Sequence, residues 1–207
     1  MTDKTAIQIN SELSEPRKTN QKDDAQRDFT FIHINKNAGC SIEDALGLKK
    51  AHKTAQVARE QIGSEQWQNQ FTFSFVRNPW DRVVSQYHYR LTINKTNLAS
   101  DKISFNDWVK LTYQNKDSVY YDKPLLFMQQ IDWLVDADST ILVDFIGRFE
   151  NLESDFRYVC KQINHPYNLL HLNSTIHDNY KQYYNDESVD IVRRYFINDI
   201  RIFNYMF

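Results

Sequence analysis

Two short segments hold the residues best suited to chemistry. The first, His33-Ile34-Asn35-Lys36-Asn37-Ala38-Gly39-Cys40-Ser41-Ile42, follows an apolar, β-rich run and carries one lysine, one glycine and one hydroxyl. Where a strand gives way to a helix, backbone N–H groups lack internal partners and the positive end of the helix dipole is presented, which suits a phosphate. Gly39 lets the backbone approach an oxygen closely, and Lys36 adds a point charge beside it. The pattern departs from Walker A, which needs a glycine several residues before a Gly-Lys-Ser/Thr ending, so an ordinary ATPase or GTPase is disfavoured. The second segment runs from Phe75 to Tyr87 and places Arg77 at the end of another apolar run. Arg77 offers a planar fork to a phosphate, and Ser85 falls one to two helical turns on, on the side of Asn78, Asp81 and Arg82. Two anion sites at neighbouring strand ends imply a ligand with two separated phosphate groups.

Strands and helices must hold these segments. Phe29-Thr30-Phe31-Ile32-His33-Ile34 reads as a buried strand, followed by a helix with Ile42, Ala45 and Leu46 at helical spacing and Gly47 as its stop. Phe71 to Val76 reads as a second strand, and Asn78-Pro79 supplies an N-cap and first-turn proline for a helix through Asp81 to about Arg90. Thr140 to Ile146 reads as a third strand, with Leu152, Phe156, Val159, Cys160 and Ile163 on one face of the next helix. Ser104 to Leu111 and Pro124 to Leu134 look helical, and Val189, Val192, Phe196 and Ile200 mark a last amphipathic helix. Strands alternating with helices predict an α/β fold, a central parallel sheet flanked by helices in three layers, with ligands at the strand carboxyl ends.

Composition narrows the function classes. The 207 residues include four glycines and four prolines, where average usage gives about fourteen and ten, so collagen-like and linker-rich readings are excluded. With 25 basic against 27 acidic residues, no global field advertises nucleic acid or an anionic membrane, and anion binding must be local. No apolar run reaches the roughly 20 residues of a membrane span. Met1 to Asp28 lacks aromatic residues and reads as a flexible arm (1–28), leaving one domain over 29–207. Two cysteines give no disulfide framework, and the absence of a signal-like centre makes a cytoplasmic location the expectation.

The pair of segments HINKNAGCSIEDAL and FSFVRNPWDRVVSQY resembles the 5′-phosphosulfate-binding loop and the 3′-phosphate-binding segment of sulfotransferases that use 3′-phosphoadenosine 5′-phosphosulfate (PAPS). The similarity is to the branch that includes heparan 2-O-sulfotransferase and its bacterial relatives. It extends through VDFIGRFENLESDF and NSTIHDNYKQYYNDESVDIVRRYFINDIRIFNY, so it covers nearly everything after Phe29. The resemblance implies a P-loop-like α/β fold, PAPS as donor, 3′-phosphoadenosine 5′-phosphate as product and no required metal. It also implies that Lys36 contacts the sulfate-bearing phosphate and bridging oxygen, with Asn37, Ala38, Gly39, Cys40, Ser41 and Ile42 completing the loop. Arg77 and Ser85 match the 3′-phosphate ligands, and Asn173 and Ser174 match a late cofactor-side loop. Family members commonly carry Pro before the lysine and Thr later in the loop where this chain has Asn35 and Cys40, so one hydroxyl ligand is missing.

Sulfuryl transfer moves a group of roughly one negative charge, so a lysine, an arginine and oriented amides form a sufficient clamp. The acceptor hydroxyl needs a base, and histidine suits that work near neutral pH. The resemblance places the family's catalytic histidine between the two phosphate segments, where His52 stands among Lys49, Lys50 and Lys53. His33 reads as a packed or loop-shaping histidine and His88 as core. Asp144, ending a Walker B-like strand, keeps alive a metal-dependent nucleotide kinase as an alternative, and the Asn35 and Cys40 departures keep alive a non-catalytic binding protein. Arg148 and Glu150 are expected to brace each other or the cofactor pocket. Tyr180, Tyr183 and Tyr184 form either a sugar platform or a packed cluster. The expected acceptor is a small molecule or oligosaccharide, with its identity, O- against N-chemistry and oligomeric state left open.

Overall fold

The computed structural model describes residues 27–169 and 179–207. Three strands, β1 (Phe29–Ile32), β2 (Phe71–Val76) and β3 (Phe145–Arg148), pair in the order β1-β2-β3, all parallel. Phe29 stands opposite Phe71, and Phe75 opposite Gly147. The helices are α1 (Gly39–Ala45), α2 (Ala55–Ile62), α3 (Ser64–Gln68), α4 (Pro79–Thr92), α5 (Phe105–Val109), α6 (Pro124–Phe127), α7 (Leu152–Gln162), α8 (Asp186–Tyr195) and α9 (Ile197–Ile202).

Strand alternation sorts the side chains into layers. Phe29, Phe31, Phe73, Phe75 and Phe145 pack with Ile42 and Leu46 of α1 and Phe156, Val159 and Cys160 of α7. On the other face Ile32, Ile34 and Val76 pack with Ala55 and Ala58 of α2, Trp67 of α3, Trp133, Phe203 and Tyr205. A third cluster joins α4, α5 and α8 through Trp80, Val84, Trp108, Val192 and Phe196. Burying a side chain such as Phe73 or Val84 contributes about 1.5–3 kcal/mol, so these three clusters supply most of the favourable term. The expected sheet flanked by helices is therefore present, and among the described residues no helix is long and apolar enough to cross a membrane.

Several boundaries differ from the sequence reading. The third strand begins at Phe145, because Thr140 to Val143 turn away: Ile141 bridges Val135 antiparallel, and the Leu142 N–H donates to Leu134. The Pro124 to Leu134 helix stops at Phe127, since Arg82 takes the Met128 carbonyl and the Asp199 carboxylate takes the Gln130 and Ile131 N–H groups. Only a 3₁₀ turn, Ile131–Trp133, follows. The last amphipathic helix divides at Phe196, and α5 runs into a π-helical turn, Lys110–Gln114. α1 ends as expected: Gly47 at φ 62° sends its N–H to Asp44, and Leu48 donates to Glu43, the paired bonds of a Schellman cap.

Candidate functional site

The loop after β1 is built from the inside outward. Asn35 gives its side-chain amide to Gln86 Oε1 (3.0 Å), and both its oxygens accept from Arg82. Asn37 sends Nδ2 to the Phe75 carbonyl (2.7 Å) and to Gln130 Oε1 (2.8 Å). The residues between and after them, Lys36 and Ala38, take φ of 69° and 63°, a left-handed conformation that costs an L-residue about 1–2 kcal/mol. Inward anchoring of the two asparagines thus turns Lys36 and Ala38 outward at the expense of strain. Asn37, expected as a ligand, has its side chain buried and engaged; what it retains for a ligand is backbone.

α1 starts without a side-chain cap. The Ser41 and Ile42 N–H groups both donate to the Ala38 carbonyl (2.9 and 3.1 Å), and Ile42 is fully buried in the core. Of the expected backbone donors, Gly39 and Cys40 are those whose N–H groups have no backbone acceptor among the described residues. Gly39 also has a reason the sequence reading missed. A Cβ there would lie 1.9 Å from His33 Cδ2, so the glycine is required by the imidazole packed against it.

Lys36 lies at the carboxyl end of β1 with Nζ 4.4 Å from the centre of the Tyr89 ring. Burial, and next the Arg77 charge, lower its pKa to about 8. An anion entering here would restore what burial removed from the ammonium. Arg77, at the matching end of β2, stacks over Phe149 (3.9 Å), donates Nε to Asp81 Oδ2 (2.8 Å) and Nη1 to the Lys36 carbonyl (3.0 Å). The two anion-suited segments are therefore joined directly, guanidinium to loop backbone. Ser85 is buried on α4, a regular helix whose Asn78 cap accepts from the Trp80 N–H as expected.

His52 sits in the loop ahead of α2, with its ring 4.3 Å from that of His33 and edge-on to the buried Trp133. Its Nδ1 is 3.2 Å from the His33 carbonyl. A carbonyl only accepts, so Nδ1 carries the proton and Nε2 keeps the lone pair. Burial, then the neighbouring His33, lower its pKa, so the ring is neutral and basic at pH 7. Behind it, His33 Nδ1 lies 2.8 Å from Glu43 Oε1, which also accepts the Ala51 N–H (3.1 Å).

Beneath both segments lies a buried polar scaffold that no sequence spacing announced. Gln130 Oε1 accepts from the Arg77 N–H and Asn37, Gln130 Nε2 donates to the Arg77 carbonyl, and Asp199 binds the Gln130 and Ile131 N–H groups. Burial raises the Asp199 pKa to about 6 despite these donors. Arg82, though in the same motif as Arg77, is wholly internal and donates to Asn35, Leu126 and Met128.

Other expected residues fall elsewhere. Asp144 Oδ2 binds the Thr72 N–H and hydroxyl (both 2.8 Å). Thr72 precedes Val76 by four residues, about 13 Å along the strand, so Asp144 fastens β3 to β2 well away from the strand carboxyl ends and supplies no Walker B carboxylate there. Glu150 accepts from the Asn78 N–H and the Tyr205 hydroxyl, and Arg148 donates to the Phe203 carbonyl, so each braces the C-terminal segment rather than the other. Tyr184 is partly buried and donates to the Trp80 carbonyl, while Tyr180 and Tyr184 pack edge-on against Phe207. The packed-cluster reading of these tyrosines holds. Asn173 and Ser174 lie outside the described residues.

Comparison with known proteins agrees with this geometry at the level of family. A relative from Archaeoglobus fulgidus, itself an uncharacterized protein, is 35% identical over 129 residues, which is 62% of this chain and 97% of the relative. No solved structure matches. Residues 17–206 match the family described as Sulfotransferase family, a match that begins inside the segment read as an arm. With nearly the whole chain covered, the protein belongs to the sulfotransferase family.

Proposed function

We propose that the protein transfers the sulfuryl group of PAPS to an acceptor hydroxyl on a sugar or small metabolite, in the cytoplasm, by in-line displacement. The observation that carries this reading is the contact between the two segments: Arg77 Nη1 on the Lys36 carbonyl fixes two anion-suited loops at adjacent strand ends. A donor with a 5′-phosphosulfate and a 3′-phosphate matches that pairing better than a triphosphate, for which the chain has no Walker A sequence and Asp144 is engaged with Thr72 away from the strand carboxyl ends.

In this reading the backbone N–H groups of Gly39 and Cys40, with Lys36, hold the 5′ end of the donor, and Arg77 and Ser85 hold the 3′-phosphate. Charge grows on the bridging oxygen as the S–O bond lengthens, and the ammonium of Lys36 stabilises it. Nε2 of His52 takes the acceptor proton as the acceptor oxygen attacks sulfur, and its Nδ1–H bond to the His33 carbonyl holds the ring in that tautomer. The imidazolium then forms beside the Glu43 carboxylate, which favours it. Cys40 lacks the hydroxyl common at this place in the family, and its backbone N–H takes that role.

The test is a binding comparison. Adenosine 3′,5′-bisphosphate at about 100 times its dissociation constant should stabilise the fold by roughly 2.7 kcal/mol, read as a thermal shift. ATP with magnesium should produce no comparable shift. Preference for ATP with magnesium, lost on chelation, would replace this reading with a kinase.

A further inference from the structure

The side chains of His33, Cys40 and Glu43 form a cluster that sulfuryl transfer does not use fully. An imidazole nitrogen, the Cys40 sulfur and a Glu43 carboxylate oxygen all lie within 4.8 Å of one another. His33 and Glu43 are 4% and 3% exposed, while Cys40 is partly exposed. His33 Nδ1 and Glu43 Oε1 face each other at 2.8 Å as a buried pair. Glu43 Oε2 is buried without a hydrogen-bond partner among the described residues. A buried carboxylate oxygen left without a partner beside an imidazole and a thiol suits a cation. Glu43 also lines a cavity of about 140 Å³ together with Leu48 and Ala51.

We propose that His33, Cys40 and Glu43 are a site for a thiophilic divalent cation of the zinc class, and that its occupancy closes the phosphosulfate loop. Nitrogen, thiolate and carboxylate are the ligand types zinc selects, and three protein ligands leave a fourth position to water. Cys40 loses its thiol proton to solvent on ligation, so the thiolate and carboxylate neutralise the ion. Rigid spacing is provided by α1, where Cys40 and Glu43 are three residues apart on one face, with His33 opposite at the end of β1. Ligation draws the Cys40 side chain inward and ties the backbone that Gly39 and Cys40 would offer a phosphate. The second half of this proposal rests on the donor-binding reading given above; the first half does not.

Cobalt(II) serves as the spectroscopic probe, added to untagged full-length protein without nucleotide. A thiolate-to-cobalt charge-transfer band should grow to one equivalent, disappear in Cys40→Ser and persist in Cys160→Ala. Glu43→Gln should weaken cobalt binding at least tenfold, with circular dichroism confirming that each variant is folded. No band, or a band that survives Cys40→Ser, overturns the site. Zinc at saturation should then weaken binding of adenosine 3′,5′-bisphosphate at least tenfold in the wild type and not in Cys40→Ser. An unchanged affinity in the presence of the band overturns the closing effect, whereas absence of bisphosphate binding without zinc counts against the donor reading alone.

Discussion

The two anion-suited segments reach the same place by opposite routes. The loop after β1 is irregular, holds two non-glycine residues at positive φ, and is pinned from below by the side chains of Asn35 and Asn37. The segment after β2 is regular: an N-cap, a first-turn proline and fourteen helical residues. One stores strain to expose a lysine; the other spends none and delivers an arginine. Arg77 and Arg82, both buried, divide the loop within a single motif, Arg77 donating to the Lys36 carbonyl and Arg82 to Asn35. A functional loop thus needs a buried cation to hold its underside, and that cation is not itself a ligand.

The largest way to break this comparison is Arg82→Met. Four carbonyl and amide oxygens from Asn35, Leu126 and Met128 would lose their donor, so the variant should lose on the order of 3–5 kcal/mol in urea unfolding. A loss below 1 kcal/mol would show that the loop supports itself. His52→Ala should cost about 10²–10⁴ in turnover while leaving bisphosphate affinity and melting temperature near the wild type; normal turnover would remove His52 from the reaction.

Lys36 sharpens the contrast through pH. Its free pKa is about 8, and a bound anion raises that value, so bisphosphate affinity should change little from about pH 7 to 8, where the phosphates are fully ionised, and fall up to about tenfold per unit above it. Lys36→Met should bind weakly with that slope gone. The smallest effect concerns strain: Ala38→Gly removes the cost of φ 63° but gives the unfolded chain more freedom, so a net gain of roughly 0.5–1 kcal/mol is expected in thermal unfolding. Destabilisation would mean that the Ala38 methyl is a needed contact.

What was legible in the sequence was local. β1, β2 and the capped start of α4 depend on residues adjacent in the chain, and the pairing of Lys36 with Arg77 follows once both strand ends are placed. The Gln130 and Asp199 scaffold was not legible, because Asn37, Arg77, Gln130 and Asp199 meet only after folding, and a buried Gln beside an Asp has no period. Thr140 to Val143 misled for a related reason: an apolar β-rich run pairs with whatever backbone lies nearest, here the turn after Leu134. Gly39 was singled out for a close approach to a phosphate, whereas the contact the structure gives it is with the His33 ring.

That glycine has a consequence for variation among related chains. Position 39 faces the imidazole at position 33 so closely that a single added methyl would overlap the ring. The two positions are therefore free to change only together: a smaller residue at 33 opens 39 to alanine, whereas Gly39→Ala against an intact His33 must displace the ring that underlies His52. Covariation of 33 with 39 across relatives would trace the ring packing whose carbonyl meets His52.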